Sequence, residues 1–268
     1  MSMDKSKQPI VWDDDPINWM NTNVNSQSKT FCGAKWYNAT IWLGNGMTAS
    51  CHHPPPHKID PEEVRKNPSA LHNTTYKKLV RKEMQQGIQT KECEYCWKME
   101  NLNKDLVSDR YHKSKCYSVE DLHSGFKKDW REDIVPQRIE IAFDNNCNFA
   151  CSYCNAGFST KWAHDINTEG AYENLISDGW GAFAHNGKWA QPYGLKNEGN
   201  PYLDAFWKWW ESDLQFELRE LRVTGGEATM SKDFWKLVDW FMNNQDSPAN
   251  KMEFSVNTNL GIKKDRFQ

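Results

Sequence analysis

Long apolar runs are missing from this chain: no stretch approaches the roughly 18 uninterrupted apolar residues that a membrane span requires. The opening residues, MSMDKSKQPIVWDDD, lack the apolar core of a secretory leader. The expectation is a cytoplasmic protein with no membrane partner, in a compartment where thiols stay reduced. Blocks of like charge are missing too. The 33 basic and 36 acidic residues leave a formal charge of −3, so no nucleic-acid partner is expected. There is no internal repeat, and no low-complexity tract beyond the short Pro54-Pro55-Pro56 run.

What the chain does have is eight cysteines among 268 residues. In a reducing compartment they point to metal or iron–sulfur binding rather than to disulfides. Cys32, Cys51, Cys93 and Cys96 lie in the first hundred residues; Cys147, Cys151 and Cys154 follow in FDNNCNFACSYCN. Cys116 stands alone between the sets and is expected to be a free buried thiol. The region from about 100 to 135 is polar and carries no strong apolar period. The expected division is a polar segment 1–30, a cysteine module 31–115, a linker 116–135 and a second domain 136–268.

In the module, AKWYNATIWL reads as a strand, Asn45-Gly46 as a tight turn and MTASC as the returning strand. Pro61 opens a helix. A second helix over TTYKKLVRKEMQQG places Tyr76, Leu79 and Val80 on one face, stops at Gly87 and leads into KECEYCW. His52, His53 and His57, set among prolines, are expected in an exposed loop.

The second half alternates strand and helix. RIEIAF (138–143), LRELRVT (218–224) and MEFSVNT (252–258) read as strands. Between them, Asn200 caps a helix carrying Leu203, Phe206, Trp207 and Trp210, and Ser231 caps another carrying Phe234, Leu237, Val238 and Phe241. Repeated β–α units predict an α/β fold with a parallel sheet and a site at the strands' C-terminal ends. The cysteine loop and Gly225-Gly226-Glu227 both fall there.

The C-x3-C-x2-C triad offers three soft ligands. A structural zinc site wants four, and the nearest candidate for a fourth is the lone His164. A 4Fe–4S cluster held by three cysteines instead leaves one iron open to substrate. With its position after a strand and Tyr153 before the last cysteine, the triad closely resembles that of the radical S-adenosylmethionine (SAM) enzymes. The resemblance implies a partial (β/α) barrel in which the open iron chelates SAM. Reductive cleavage there yields a 5′-deoxyadenosyl radical that abstracts hydrogen from a substrate. It also implies that Gly225, Gly226 and Glu227 contact the SAM amino group, with Tyr153 beside the cofactor. Asn257-Thr258-Asn259 is similar to a polar turn of the same family. An electron donor such as flavodoxin or ferredoxin is implied, and a peptide or small-molecule substrate.

The order C-x13-G-x4-C, then a distant C-x2-C, resembles the twitch module, a shortened relative of the SPASM domain. That implies a second 4Fe–4S cluster ligated by Cys32, Cys51, Cys93 and Cys96. A zinc site with the same thiolates satisfies the same spacing. The module here precedes the barrel half, whereas in the family it ordinarily follows. Only three parallel strands are legible before Gln268, fewer than the family's barrel contains. A truncated reading frame, or a half completed by another chain, is therefore expected, with an unpaired edge and one apolar side exposed. The alternatives are a non-catalytic zinc or iron–sulfur module and an inactive fragment.

Overall fold

The computed structural model describes residues 15–103, 105–170 and 199–262. Residues 1–14 of the expected polar segment and 171–198 and 263–268 of the second half lie outside the described residues.

Six strands form one mixed sheet: β1 (Asn38–Trp42), β2 (Met47–Ala49), β3 (His57–Lys58), β4 (Arg138–Ala142), β5 (Glu220–Thr224) and β6 (Glu253–Val256). Their order is β3-β2-β1-β4-β5-β6. The last four strands of that order run parallel, and β2 and β3 run antiparallel. The fold is thus α/β. The expected three parallel strands become four, because β1 of the cysteine module pairs with β4, Asn38 beside Arg138 and Trp42 beside Ala142. One sheet therefore runs across the expected domain boundary.

Alternation along the strands separates its two faces. Ala39, Ile41, Ile139, Ile141, Leu221 and Val223 are buried on one face, in a core completed by Trp209, Trp210, Phe206 and Leu237. The other face carries Asn38, Thr40, Arg138, Glu140, Glu220 and Arg222, in register across β1, β4 and β5. The apolar side is covered and the polar side is the freer one, the reverse of the expected exposed apolar side. β6 forms an edge of the described sheet.

Helix α9 (Pro201–Trp209) starts as expected, with Asn200 Oδ1 accepting from the N–H groups of Tyr202 and Leu203 at 2.9 and 3.3 Å. Its buried face is Tyr202, Ala205, Phe206 and Trp209, rotated from the expected stripe, so that Leu203 and Trp207 are only half-buried. Full burial of each such aromatic contributes on the order of 1.5–3 kcal/mol. The Tyr202 ring also explains Gly46. At φ 66° in the hairpin turn, a Cβ there would sit 2.1 Å from that ring.

A second core gathers the N-terminal helices. The expected polar segment holds α1 (Pro16–Met20) and a following π turn, with Met20 and Val24 buried. AKWY forms a helix, α2 (Gly33–Tyr37), before the chain extends into β1. α3 (Pro61–Lys66) opens at Pro61 as expected. In α4 (Thr75–Gln85) the buried face is Lys77, Val80, Arg81 and Met84, while Tyr76 and Leu79 face outward, contrary to the sequence pattern. α5 (Glu94–Leu102) carries Cys96, and α6 (Asp109–Lys115) follows. The expected linker holds α7 (Val119–Lys127), packed through Leu122 and Gly125, with the Tyr37 hydroxyl donating to Asp121 O at 2.8 Å. Cys116 is half-buried and its thiol faces His112 O.

Candidate functional site

The triad loop leaves the C-terminal end of β4 and is held from two sides. Toward α8 (Thr160–Glu169), Cys147 N–H donates to Thr160 Oγ1 at 3.0 Å and Thr160 Oγ1 donates to Cys147 O at 3.1 Å. Trp162 Nε1 donates to Cys151 O at 2.9 Å. Toward β6, Asn148 Nδ2 donates to Gly261 O at 2.8 Å, and Asn259 Nδ2 to Asn148 Oδ1 at 3.2 Å. Cys147, Cys151 and Cys154 are half-buried, and Tyr153 is 89% exposed. Burial first, then the neighbouring Cys147 and Cys151, pushes the Cys154 thiol up, against an opposing hydrogen bond with the Asn155 backbone. His164 lies on the exposed side of α8.

Gly225 and Gly226 have a purpose that the sequence does not reveal. A Cβ at Gly226 would meet Asn146 O at 2.3 Å and Asn145 O at 2.6 Å; one at Gly225, where φ is 122°, would meet Asp144 O at 2.7 Å. The turn after β5 thus packs bare backbone against the root of the cysteine loop, and Glu227 N–H donates to Asn146 O at 2.6 Å. Glu227 is 1% exposed. Its Oε1 accepts from Thr229 N–H at 3.1 Å, from the Thr229 hydroxyl and from Thr258 Oγ1 at 2.5 Å. Its Oε2 accepts from Asn259 N–H at 2.6 Å. Glu227 therefore ties the end of β5 to that of β6, and only Oε2 keeps an open acceptor position.

Burial pushes the Glu227 carboxyl up, but bonds from Thr229, Thr258 and Asn259 outweigh it and hold it below the usual value of 4.5. A depressed folded-state pKa contributes stability above the unfolded value, which is lost as pH falls through the folded one. Glu227→Gln should therefore lower stability by about 1–3 kcal/mol at neutral pH. Melting curves of the two proteins should converge as pH falls below about 4.5. A gap unchanged at pH 3 would contradict an ionised Glu227.

The other four cysteines gather at the opposite end of the sheet. Cys32 precedes α2 and β1, and Cys51 follows β2, which runs antiparallel to β1. Cys93 caps α5 and Cys96 lies in its first turn. The Cys32 thiol is pushed up to about 12 by burial first, then by Cys93, Cys51 and Cys96, with Arg110 opposing. Cys96 is pushed up to about 11 by burial, Cys93, Cys51 and Glu100, against a bond from Ser108. All eight cysteines are free thiols. Among the described residues, no three cysteine sulfurs lie all within 4.8 Å of one another. Tetrahedral zinc with bonds of about 2.3 Å would draw them to about 3.8 Å apart, so either set would close up around such an ion.

Sequence reasoning missed the cations around this set. Lys77 Nζ is buried and donates to Thr48 Oγ1 at 2.8 Å and Ala49 O at 3.1 Å; among the described residues no carboxylate pairs with it. Burial lowers its pKa well below the usual range, Arg81 and Lys35 push the same way, and Cys51 opposes. His57 is pushed down to about 3 by burial, then Lys77 and Lys35. Lys35 pairs with Glu92, and Arg110 with Glu100 at 2.8 Å. A buried ammonium beside neutral thiols is costly; thiolates on a metal cluster would offset it. Four thiolates around either an iron–sulfur cluster or a zinc ion would supply that negative charge. Lys77 and Arg81 on the buried face of α4 give no such signal in the sequence.

A cavity of about 520 Å³ lies along the polar sheet face, from Cys51 and His52 at one end to Asn155 and Phe158, beside the triad, at the other. β1 spans roughly 16 Å between those ends. Arg138 pairs with Glu220, Arg222 lies 3.9 Å from Glu220, and Thr224 Oγ1 donates to Glu140 at 3.4 Å. These charged residues were legible as the polar positions of RIEIA and ELRVT. The size suits a small molecule or a short peptide segment. Among the described residues no helix is long and apolar enough to cross a membrane. No protein-family model, curated protein or solved structure matches this chain.

Proposed function

We propose that this chain is a radical S-adenosylmethionine enzyme of partial (β/α)-barrel type with a second, fully ligated iron–sulfur cluster. The observation that carries the reading is the convergence of three motifs at adjacent parallel strand ends. The triad loop, the Gly-Gly-Glu turn and Asn257-Thr258-Asn259 are locked together through Glu227, which bonds to Asn146 and Asn259 at 2.6 Å each. When bound at Cys147, Cys151 and Cys154, such a cluster would supply the one-electron chemistry that opens the SAM sulfonium for hydrogen abstraction from a substrate.

The residues of the chain prepare that chemistry. Cys147, Cys151 and Cys154 would hold the SAM-binding cluster. Tyr153 stands exposed beside them, and Glu227 Oε2 has an acceptor position for the ammonium. Cys32, Cys51, Cys93 and Cys96 would hold the second cluster at the far end of the sheet, with Lys77 offsetting its charge. The cavity between them takes the substrate, a peptide or a small molecule, against Arg138, Glu140, Glu220 and Arg222. A flavodoxin or ferredoxin supplies electrons in the cytoplasm.

Anaerobic reconstitution tests the reading. About eight irons and eight sulfides per chain are expected, with 5′-deoxyadenosine formed on addition of SAM and a low-potential reductant. Bound zinc without acid-labile sulfide would sink the proposal, and iron without SAM cleavage would remove its catalytic part.

A further inference from the structure

His52 and His53 lie in the loop expected from their prolines, but they share a partner there. Successive residues of an extended chain point to opposite sides, but the chain bends over residues 51–54, and both rings turn to one carboxylate oxygen. His53 Nε2 lies 2.7 Å from Asp109 Oδ2, and His52 Nε2 lies 3.3 Å from the same atom. All three atoms fall within 4.8 Å of one another. The two rings are 4.1 Å apart, and His53 is stacked on Tyr95 at 3.9 Å, with an interplanar angle of 15°. His53 is 16% exposed and therefore fixed in place; His52, 62% exposed, also lines the cavity beside Cys51.

We infer that His52, His53 and Asp109 form a binding site for one divalent first-row transition ion, separate from both cysteine sets. Two imidazoles aimed at the same carboxylate oxygen make a convergent donor set. Metal bonds of about 2.0–2.1 Å in tetrahedral array space ligand atoms about 3.3 Å apart. The His52–Asp109 distance of 3.3 Å already matches, and the His53–Asp109 pair, at 2.7 Å, opens by about 0.6 Å. Two imidazoles and a carboxylate select Zn²⁺, Co²⁺, Ni²⁺ or Fe²⁺ over the hard ions Mg²⁺ and Ca²⁺. Three protein ligands leave at least one position for water or an oxygen-bearing ligand, as in catalytic rather than structural sites. Of the three residues, His52 also stands in the cavity wall.

Titration of the full-length protein with Co²⁺ tests the site independently of the proposed activity. The readout is proton NMR of the hyperfine-shifted, solvent-exchangeable imidazole N–H resonances, which thiolate-bound Co²⁺ does not produce. Two such resonances are expected at saturation. His52→Ala, at an exposed position that folding tolerates, should remove one and weaken binding at least about tenfold. Asp109→Asn should weaken it comparably and keep both. Absence of these resonances at saturating Co²⁺ overturns the inference, as does a Co²⁺ affinity unchanged in His52→Ala.

Discussion

Cys151→Ala is expected to reduce 5′-deoxyadenosine formation to the no-protein background while the chain keeps about four of roughly eight irons. Cys151 lies at the middle of the triad loop, and its carbonyl is held by Trp162 Nε1 at 2.9 Å and by Cys154 N–H at 2.9 Å. Those bonds are to backbone and survive the substitution, so the loop should keep its path while losing one of only three ligands. The other cysteine set lies at the opposite end of the sheet, in a separate core that includes Cys32, Cys93 and Cys96. It should load normally. Cys93→Ser makes the converse case: about half the iron is lost and part of the SAM cleavage remains. Iron analysis with product quantification after reconstitution measures both. Equal loss of iron and cleavage in the two variants would show that the sets do not divide the work as proposed.

Gly226→Ala should have the second large effect, acting through packing alone. A Cβ at 2.3 Å from Asn146 O and 2.6 Å from Asn145 O cannot be relieved by a side-chain rotation, because both atoms are backbone. Relief requires separating the turn after β5 from the root of the triad loop, which breaks the bond from Glu227 N–H to Asn146 O. The cost is expected at the upper end of overpacking, about 3 kcal/mol, at about 2–4 °C of melting temperature per kcal/mol. Gly87→Ala is the comparison: φ is 74° there and no atom lies within 4 Å of the added Cβ, so only backbone strain of about 1–2 kcal/mol is incurred. Gly226→Ala should also impair the triad cluster and spare the other. Thermal melts of both variants with iron counts check this, and a Gly226→Ala protein as stable as wild type would refute the close approach.

Much of the fold was legible where local chemistry is strong. Asn200-Pro201 starts α9, Gly87 stops α4, and the β–α alternation of the second half appears in the strands and helices observed. The stripes on α4 and α9 were misread, because apolar spacing identifies a helix more reliably than it identifies the buried side. α4 buries Lys77 and Arg81 since their ammonium and guanidinium groups find backbone and hydroxyl acceptors in the interior, among them Ala49 O and Lys35 O. A linker was expected over 116–135 because α7 is short and polar, its buried Leu122 and Gly125 being too few to register as a period.

By itself, the sequence determined the α/β class, the two groupings of cysteines and the residues at the strand ends, since each depends on spacing along the chain. Tertiary structure alone decided how these pieces meet. Pairing of β1 with β4 joined the cysteine module and the β–α half in one sheet, set the thiol groups at its two ends and left a cavity along its polar face. Packing of α6 within the N-terminal part brought Asp109 to His52 and His53 across more than fifty residues. The physical reason is the same in each case. Ladder hydrogen bonds and side-chain convergence join residues remote in the chain, and the choice of partner depends on how every other element packs.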